Sequence, residues 1–494
     1  MGDFMKKSSV WFDKIDKQSP KQLNKDLDVD VLIIGGGITG ISTAYHLKDA
    51  NLKICLVDQD IVAHGVSGKT TGKLTFLQEL IYSTLVDEYS IEIANKYLKS
   101  QKEAINIVEQ IINENNIDCD YNKVDSYIFA DSIKDMNKIK REKEILEKLG
   151  VQVQELNDLP ISLKSYCAIK AGDTAVFHPV KYLNFLKKLL ADKEIPIYER
   201  TKILKIKKDD GKYICFTKNN SIRAKKVVLA CHYPFFVFPF MFPLKGYLER
   251  SYVSASKVSE HKDVSIINVG NETKSVRYHN SNDDDYFIYL TGSHNLDIKY
   301  NVKENFNELF NDLNNLNLKA DYIWTNHDII TNDHLPYIGY LSDNLLIGTG
   351  YNTWGMTNGT IAGKVLSDLI LEKENEYISL FAPRRDKPIS NVLSVMNDIY
   401  SSAKPFIENK IIKNKDFYSP NIKFEKKNGK RVAIYIDSNN KEHIVYNKCP
   451  HLKCSLIFNE VEKTWDCPCH GSRFNIDGKC IQGPSNYDIS YHDE

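Results

Sequence analysis

The feature that most constrains this chain is a turn. An apolar run, Val31 to Ile34, leads into GGGITG; a helical stretch follows from Ile38 to about Ala50, and a second apolar run ends at Asp58. The order reads strand, tight turn, helix, strand, and it sets Gly35, Gly37 and Gly40 in the pattern G-x-G-x-x-G. The first glycine permits the turn, the second lets a pyrophosphate approach the backbone, and the third lets helix and strand pack closely. The helix amides and dipole then face the anion. Asp58 can accept hydrogen bonds from a ribose hydroxyl. A chain carrying this unit folds into an α/β, Rossmann-like dinucleotide-binding domain, although the turn alone does not separate FAD from NAD.

The rest of the chain narrows the class. Its 494 residues balance 65 basic against 65 acidic side chains, which removes the bulk electrostatic case for a nucleic-acid partner. No stretch is long and apolar enough for a membrane-spanning helix. The run PFFVFPFMFPL from Pro234 is broken by three prolines and reads as a buried loop, with an apolar channel or a membrane contact as the other readings. The amino terminus lacks the apolar centre of a secretory signal, so a cytoplasmic location is expected. Residues 79–116 and 133–149 show helical apolar spacing, residues 195–230 read as short strands, and a helix is expected near 302–315. After Pro383-Arg384-Arg385 the composition shifts to a charged helical connector, and a new pattern of short strands begins at about residue 418.

Five of the ten cysteines crowd the last fifty residues. Cys449-Pro450-His451 is followed by Cys454, then by Cys467-Pro468-Cys469-His470-Gly471-Ser472, giving C-x-H and C-x-x-H. In a reducing compartment such a cluster reads as a metal site before it reads as a disulfide framework. A two-iron, two-sulfide centre with two thiolates on one iron and two neutral imidazoles on the other needs this donor set, which assigns Cys449, His451, Cys467 and His470 as metal ligands. Zinc also takes cysteine and histidine, but a zinc knuckle needs neither this order of histidines nor the trailing Gly-Ser and Gly483-Pro484.

The CPCHGS run resembles the Rieske family closely. That resemblance implies a disulfide between Cys454 and Cys469, clamping the two ligand loops as in the Rieske proteins of cytochrome bc and b6f complexes. It also implies a hydrogen bond from Ser472 to a bridging sulfide, and a lowered potential because Phe474 stands where many of those proteins carry a tyrosine. The earlier part of the chain, roughly 28–385, is similar to the FAD-dependent oxidoreductases of the D-amino-acid oxidase and glycine oxidase type. The segments that carry the likeness are GVSGKTTGKLT (from Gly65), VVLACHYP (from Val227) and NLLIGTGYNTWGMTNGT (from Asn344).

This second resemblance implies FAD, with Gly350, Gly355, Met356 and Thr357 at the isoalloxazine. Ser67, Gly68, Thr70 and Thr71 would face the pyrophosphate and ribityl chain, and Ile203 would present backbone to the adenine. Ile38, Thr39 and Gln59, beside the turn and Asp58, complete the candidate cofactor-binding set. The expected architecture is an N-terminal extension (1–27) and a Rossmann-like α/β FAD-binding domain interleaved with an α+β substrate domain (28–385). A helical linker (386–417) and an all-β Rieske [2Fe-2S] domain (418–494) follow.

A flavin takes two electrons as a hydride and can release them singly, whereas a cluster carries one at a time. The pairing implies a wire from a small amine or amino acid to an electron acceptor, a quinone or a redox protein. An electron-transfer module or redox sensor reduced by a protein partner is the alternative. Family members commonly hold the substrate carboxylate with an arginine, and Arg277 is the candidate here, with Tyr247, Tyr351 and Trp354 as candidate walls; a surface ion pair is the other reading of Arg277. A Rieske oxygenase would need a mononuclear iron held by two histidines and a carboxylate; the stretch holding His327, Asp328 and His334 has those residue types with different spacing and reads as loop.

Overall fold

The computed structural model describes residues 5–15, 19–234, 245–281, 284–296, 302–385 and 421–492. The expected linker 386–417 and the aromatic run from Phe235 lie outside these residues.

Strand Leu27–Ile34 is central to the first sheet. It runs parallel to Ile54–Val57 on one side and Ser221–Leu229 on the other. The sheet continues through Leu345–Thr349 to the antiparallel edge strand Tyr337–Ser342, and on the opposite side to Ile197–Tyr198. These inner strands are buried on both faces, which is why they read as continuous apolar runs instead of alternating ones. Helix Ile38–Leu47 packs against helix Gly355–Ile370, so the two glycine-rich strand-to-helix turns lie at the same end of the sheet.

The second sheet has nine strands and is antiparallel except where Val264–Asn268 runs beside Asn122–Ala130. Its edge is made by Tyr322–Thr331 and the long strand Gly246–Val258, paired antiparallel over their length. The segment expected to be an N-terminal extension is part of this body. Lys6 bridges to Tyr322, and Trp11, fully buried, donates from Nε1 to the Thr70 carbonyl at 2.6 Å.

Beyond residue 420 the chain is all β. Three strands, Ile422–Lys427, Lys430–Ile436 and Glu442–Tyr446, form one antiparallel sheet. Four short strands, Ile457–Asn459, Thr464–Asp466, Arg473–Asn475 and Cys480–Gln482, form a second. Trp465, Phe474, Tyr435 and Phe458 pack the core between them. Cys454 and Cys469 are joined in a disulfide that ties the two ligand loops together. The architecture is thus a Rossmann-like α/β fold with mixed sheets and a C-terminal all-β domain. Among the described residues no helix is long and apolar enough to cross a membrane.

Candidate cofactor cavity, cluster loops and the wall between them

The glycine turn is built as the motif requires. Gly35 has φ +117°, and a Cβ there would lie 2.4 Å from the Ala230 carbonyl oxygen; at Gly40 a Cβ would lie 1.8 Å from the Gly35 carbonyl. No other residue type fits either position. Asp58 accepts from the amides of Gly36 and Asp60 at 2.6 and 2.7 Å, which fixes its carboxylate against the turn. Burial still pushes its pKa up, to about 6.

One continuous cavity opens over this turn. Of the predicted cofactor residues it is lined by Gly35, Gly37, Ile38, Thr39, Asp58, Gln59, Ser67, Thr70, Ile203, Gly355 and Met356. The other five do not line it. Gly40 lies under the turn, and Gly68 is closed off by the Ala63 carbonyl and Phe12. Gly350 is packed on Thr331 and Tyr337. The Thr357 hydroxyl accepts from Gln78 behind the cavity, and Thr71 lines an adjoining chamber. Tyr351, predicted as a substrate wall, lines the cofactor cavity and shares a 2.7 Å hydrogen bond with Thr39.

Sequence reasoning missed two contributors to this cavity. His232 and Tyr233 end the VVLACHYP run and reach into it; so do Ile481, Gln482, Gly483, Pro484 and Asn486, which belong to the C-terminal β domain. That domain is therefore a wall of the nucleotide cavity.

The four predicted metal ligands are brought together. The thiols of Cys449 and Cys467 are buried against each other. The rings of His451 and His470 stand 5.0 Å apart and perpendicular. Both nitrogens of His451 and Nδ1 of His470 are buried with no hydrogen-bond partner among the described residues, an arrangement that costs free energy unless the nitrogens bind something. Two thiols and two orphaned imidazoles fit a mixed-ligand 2Fe-2S cluster. Ser472 is fully buried beside Cys449 and accepts from the Ser485 amide at 2.9 Å.

The ligand loop does not face solvent. His470 is buried, with its ring 5.6 Å from that of Tyr233. Gly471 packs on Leu248 and His327. Tyr233, Leu248, Leu296 and Ile329 form an apolar cluster at this contact.

A network of buried charges fixes the docking. Arg250 pairs with Asp466 at 2.6 Å and donates to His327 Nε2 at 2.7 Å. Arg473 pairs with Asp466 and with Glu462, which also accepts from Thr325. Burial alone would raise the Asp466 pKa; Arg473 and Arg250 outweigh it and hold the group at about 2.

Strand alternation explains why the same two strands also shape the adjoining chamber. In Gly246–Val258 and Tyr322–Thr331, Arg250, Thr325 and His327 face the β domain. Their neighbours Glu249, Ser251, Asn326 and Asp328 line the chamber on the other side. This corrects the sequence reading of His327 and Asp328 as loop: both are in strand, and only His334 lies beyond it.

The structure also corrects Arg277. Its guanidinium is buried and donates to four carbonyls, those of Tyr278, Thr71, Gly72 and Phe177, and it lines neither the chamber nor the cofactor cavity. It fastens the loop before Lys73–Leu74 to the second sheet. Trp354 does line the chamber; Tyr247 does not.

The family model for FAD dependent oxidoreductases matches residues 30–369, and that for the Rieske [2Fe-2S] domain matches 409–491. A relative in Bacillus subtilis (strain 168), YhfW, whose name describes a Rieske 2Fe-2S iron-sulfur protein, is 32% identical over 97% of this chain and 96% of its own length. The gamma-glutamylputrescine oxidoreductase of Escherichia coli (strain K12) is 22% identical over 76% of this chain and 91% of its own. Among solved structures, glycine oxidase from Geobacillus kaustophilus superposes with a TM-score of 0.60 at 16% identity, covering 73% of this chain and 99% of its own. L-amino acid deaminase from Proteus vulgaris gives 0.59 at 15%, covering 75% of this chain and all of its own. On these matches the chain belongs to the FAD dependent oxidoreductase family and carries a C-terminal Rieske domain, its cofactors being FAD and a 2Fe-2S cluster.

Proposed function

We propose that the protein oxidises an amine or amino acid and relays the electrons through its own Rieske cluster to a one-electron acceptor, a quinone or a redox protein. The first half is supported by relatives named for amino-acid or amine substrates. The second half rests on one observation: residues of the β domain line the cofactor cavity, and Tyr233, which also lines it, lies 5.6 Å from the His470 ring. Flavin and cluster would then be neighbours within one chain.

In this reading the predicted residues that line the cavity hold FAD, with the Gly35–Gly40 turn at the pyrophosphate and Asp58 at the ribose. Cys449 and Cys467 hold one iron, His451 and His470 the other. Bound FAD supplies a two-electron acceptor, and the cluster a one-electron carrier. The chain's own work is to position these groups, with the apolar cluster around Tyr233 placed where the β domain meets the cavity wall. The salt-bridge network holds the β domain in that position.

The test is anaerobic mixing of the holoprotein with a panel of amines and amino acids, followed by visible absorption and electron paramagnetic resonance. One compound should bleach the flavin and then bring up the Rieske signal. Cys467→Ser, lacking a cluster ligand, should still bleach but show no such signal. A flavin bleached only by a partner reductase would overturn the reading and leave an electron-transfer module.

A further inference from the structure

The chamber beside the cofactor cavity shares Lys69, Asn326, Asp328, Gly355 and Met356 with it. It is therefore where a substrate would meet the flavin, if the function proposed above is correct. Three carboxylates line it: Glu79, Glu249 and Asp328. Glu249 and Asp328 are directly opposite each other across the antiparallel strand pair, and like charges in that position destabilise a sheet. A fold that keeps such a pair on a cavity face, where one amide would relieve it, gains something other than stability.

A second observation points the same way. Asn326 is 7% exposed, lines the same wall, and donates from Nδ2 to Asp328 at 3.0 Å. Its Oδ1 has no partner among the described residues. Glu79 makes no hydrogen bond to a described residue, and the charge that partly compensates it is Lys73. The chamber therefore presents a surplus of acceptors and asks for a donor.

The cations present do not reverse this. Lys73 is buried and spends its N–H groups on the Ile266 carbonyl at 2.7 Å and on Ser275 at 2.6 Å. Lys69 lines both the chamber and the cofactor cavity, and the charges that act on it are Arg473, Glu462, Asp466 and Asp60, none of them a chamber carboxylate. No arginine among the described residues lines the chamber, and Arg277, the sequence candidate for a carboxylate, is used up by backbone carbonyls.

We propose that the chamber takes a cationic amine bearing no α-carboxylate, its ammonium group held between Glu249 and Asp328 with Asn326 Oδ1 as a further acceptor. This deepens the function proposed above, since it names the substrate class of that site. It also excludes the α-amino acids that an arginine clamp would select.

The experiment compares butylamine with norvaline, which differs from it by one α-carboxylate. Binding is read by calorimetry on the anaerobic holoprotein, so turnover is not required. Butylamine should bind more tightly than norvaline, and Glu249→Gln or Asp328→Asn should weaken it by about tenfold or more, the worth of a charge-assisted hydrogen bond. The same variants should melt no lower than the wild type, because each relieves a like-charge pair; loss of ligand without loss of stability separates a binding role from a structural one. Tighter binding of norvaline, abolished by Lys69→Met, would overturn the proposal while leaving an amino-acid oxidase. So would an affinity for butylamine unchanged in both variants. Butylamine binding that never bleaches the flavin would keep the chamber's specificity and sink the oxidase.

Discussion

The strands Gly246–Val258 and Tyr322–Thr331 bury charge on both faces, and the two faces treat it in opposite ways. Toward the Rieske domain, Arg250 meets Asp466 and His327, Arg473 meets Asp466 and Glu462, and Thr325 completes Glu462. Toward the chamber, Glu249 opposes Asp328, and Asn326 keeps an oxygen with no partner among the described residues. Buried charge that is paired and hydrogen-bonded holds a structure together; buried charge left unpaired costs free energy and waits for a partner. One wall thus carries a docking face and a binding face, separated only by the two-residue period of a strand.

The largest effect should come from breaking the paired face. Asp466→Asn leaves Arg250 and Arg473 without their shared carboxylate, and loss of one partner from a buried pair costs about 3–5 kcal/mol. Thermal melts should show the drop, and limited proteolysis should cut between the domains. An unchanged melt with intact docking would mean that the apolar contact around Tyr233 suffices.

Arg277 is the next test, because it is a third buried arginine and hydrogen-bonds to no carboxylate among the described residues. Arg277→Lys loses the planar fork that reaches four carbonyls. The expected cost is about 2 kcal/mol of stability, with the ratio of butylamine to norvaline affinity unchanged. A shifted ratio would return Arg277 to substrate recognition.

Acid should loosen the paired face before it unfolds either domain. Asp466 sits at about 2 in the folded protein against about 3.9 when unfolded. A depressed pKa gives stability that is present above about pH 4 and lost as pH falls toward 2, here about 2 kcal/mol. In Asp466→Asn this part of the acid dependence should be absent.

The two cofactor motifs were legible in the sequence because their chemistry is compressed into a few neighbouring residues. Gly35 to Gly40 and the C-x-H and C-x-x-H loops are local, and each spacing follows from one tight piece of geometry. The chamber was not legible. Glu249 and Asp328 lie 79 positions apart and become opposite neighbours only through strand register, and the His327, Asp328, His334 stretch, whose residue types suit a metal triad but whose spacing does not, reads as loop in the sequence. Arg277 was misread for the converse reason: its residue type suits a carboxylate, but only the fold reveals the carbonyls that occupy it. Likewise nothing local in Ile481 to Asn486 says that these residues close a cavity formed more than 400 positions earlier, at Gly35.

The smallest expected effect is also the one that probes the unpaired face most directly. Burial, with the charge of Glu249 second, raises the Glu79 and Asp328 pKa to about 7, and burial raises Glu249 as well. Lys69, held down to about 8 by burial and Arg473, and Lys73 are the cations that line the same chamber. Glu79 and Asp328 are therefore largely neutral below about pH 7 and anionic above it. An ammonium ligand needs the anionic form, so butylamine affinity should fall as pH drops below 7, by at most roughly tenfold per unit. Above pH 8, loss of charge on Lys69 removes a competing cation, so affinity should hold until the amine itself deprotonates. Glu249→Gln should move the acid limb to lower pH, because the charge of Glu249 is the second cause, after burial, that raises Asp328. A wild-type profile flat from pH 6 to 8 would show that the facing pair shares no proton with solvent in that range, and that the two faces of the wall are less different than their geometry implies.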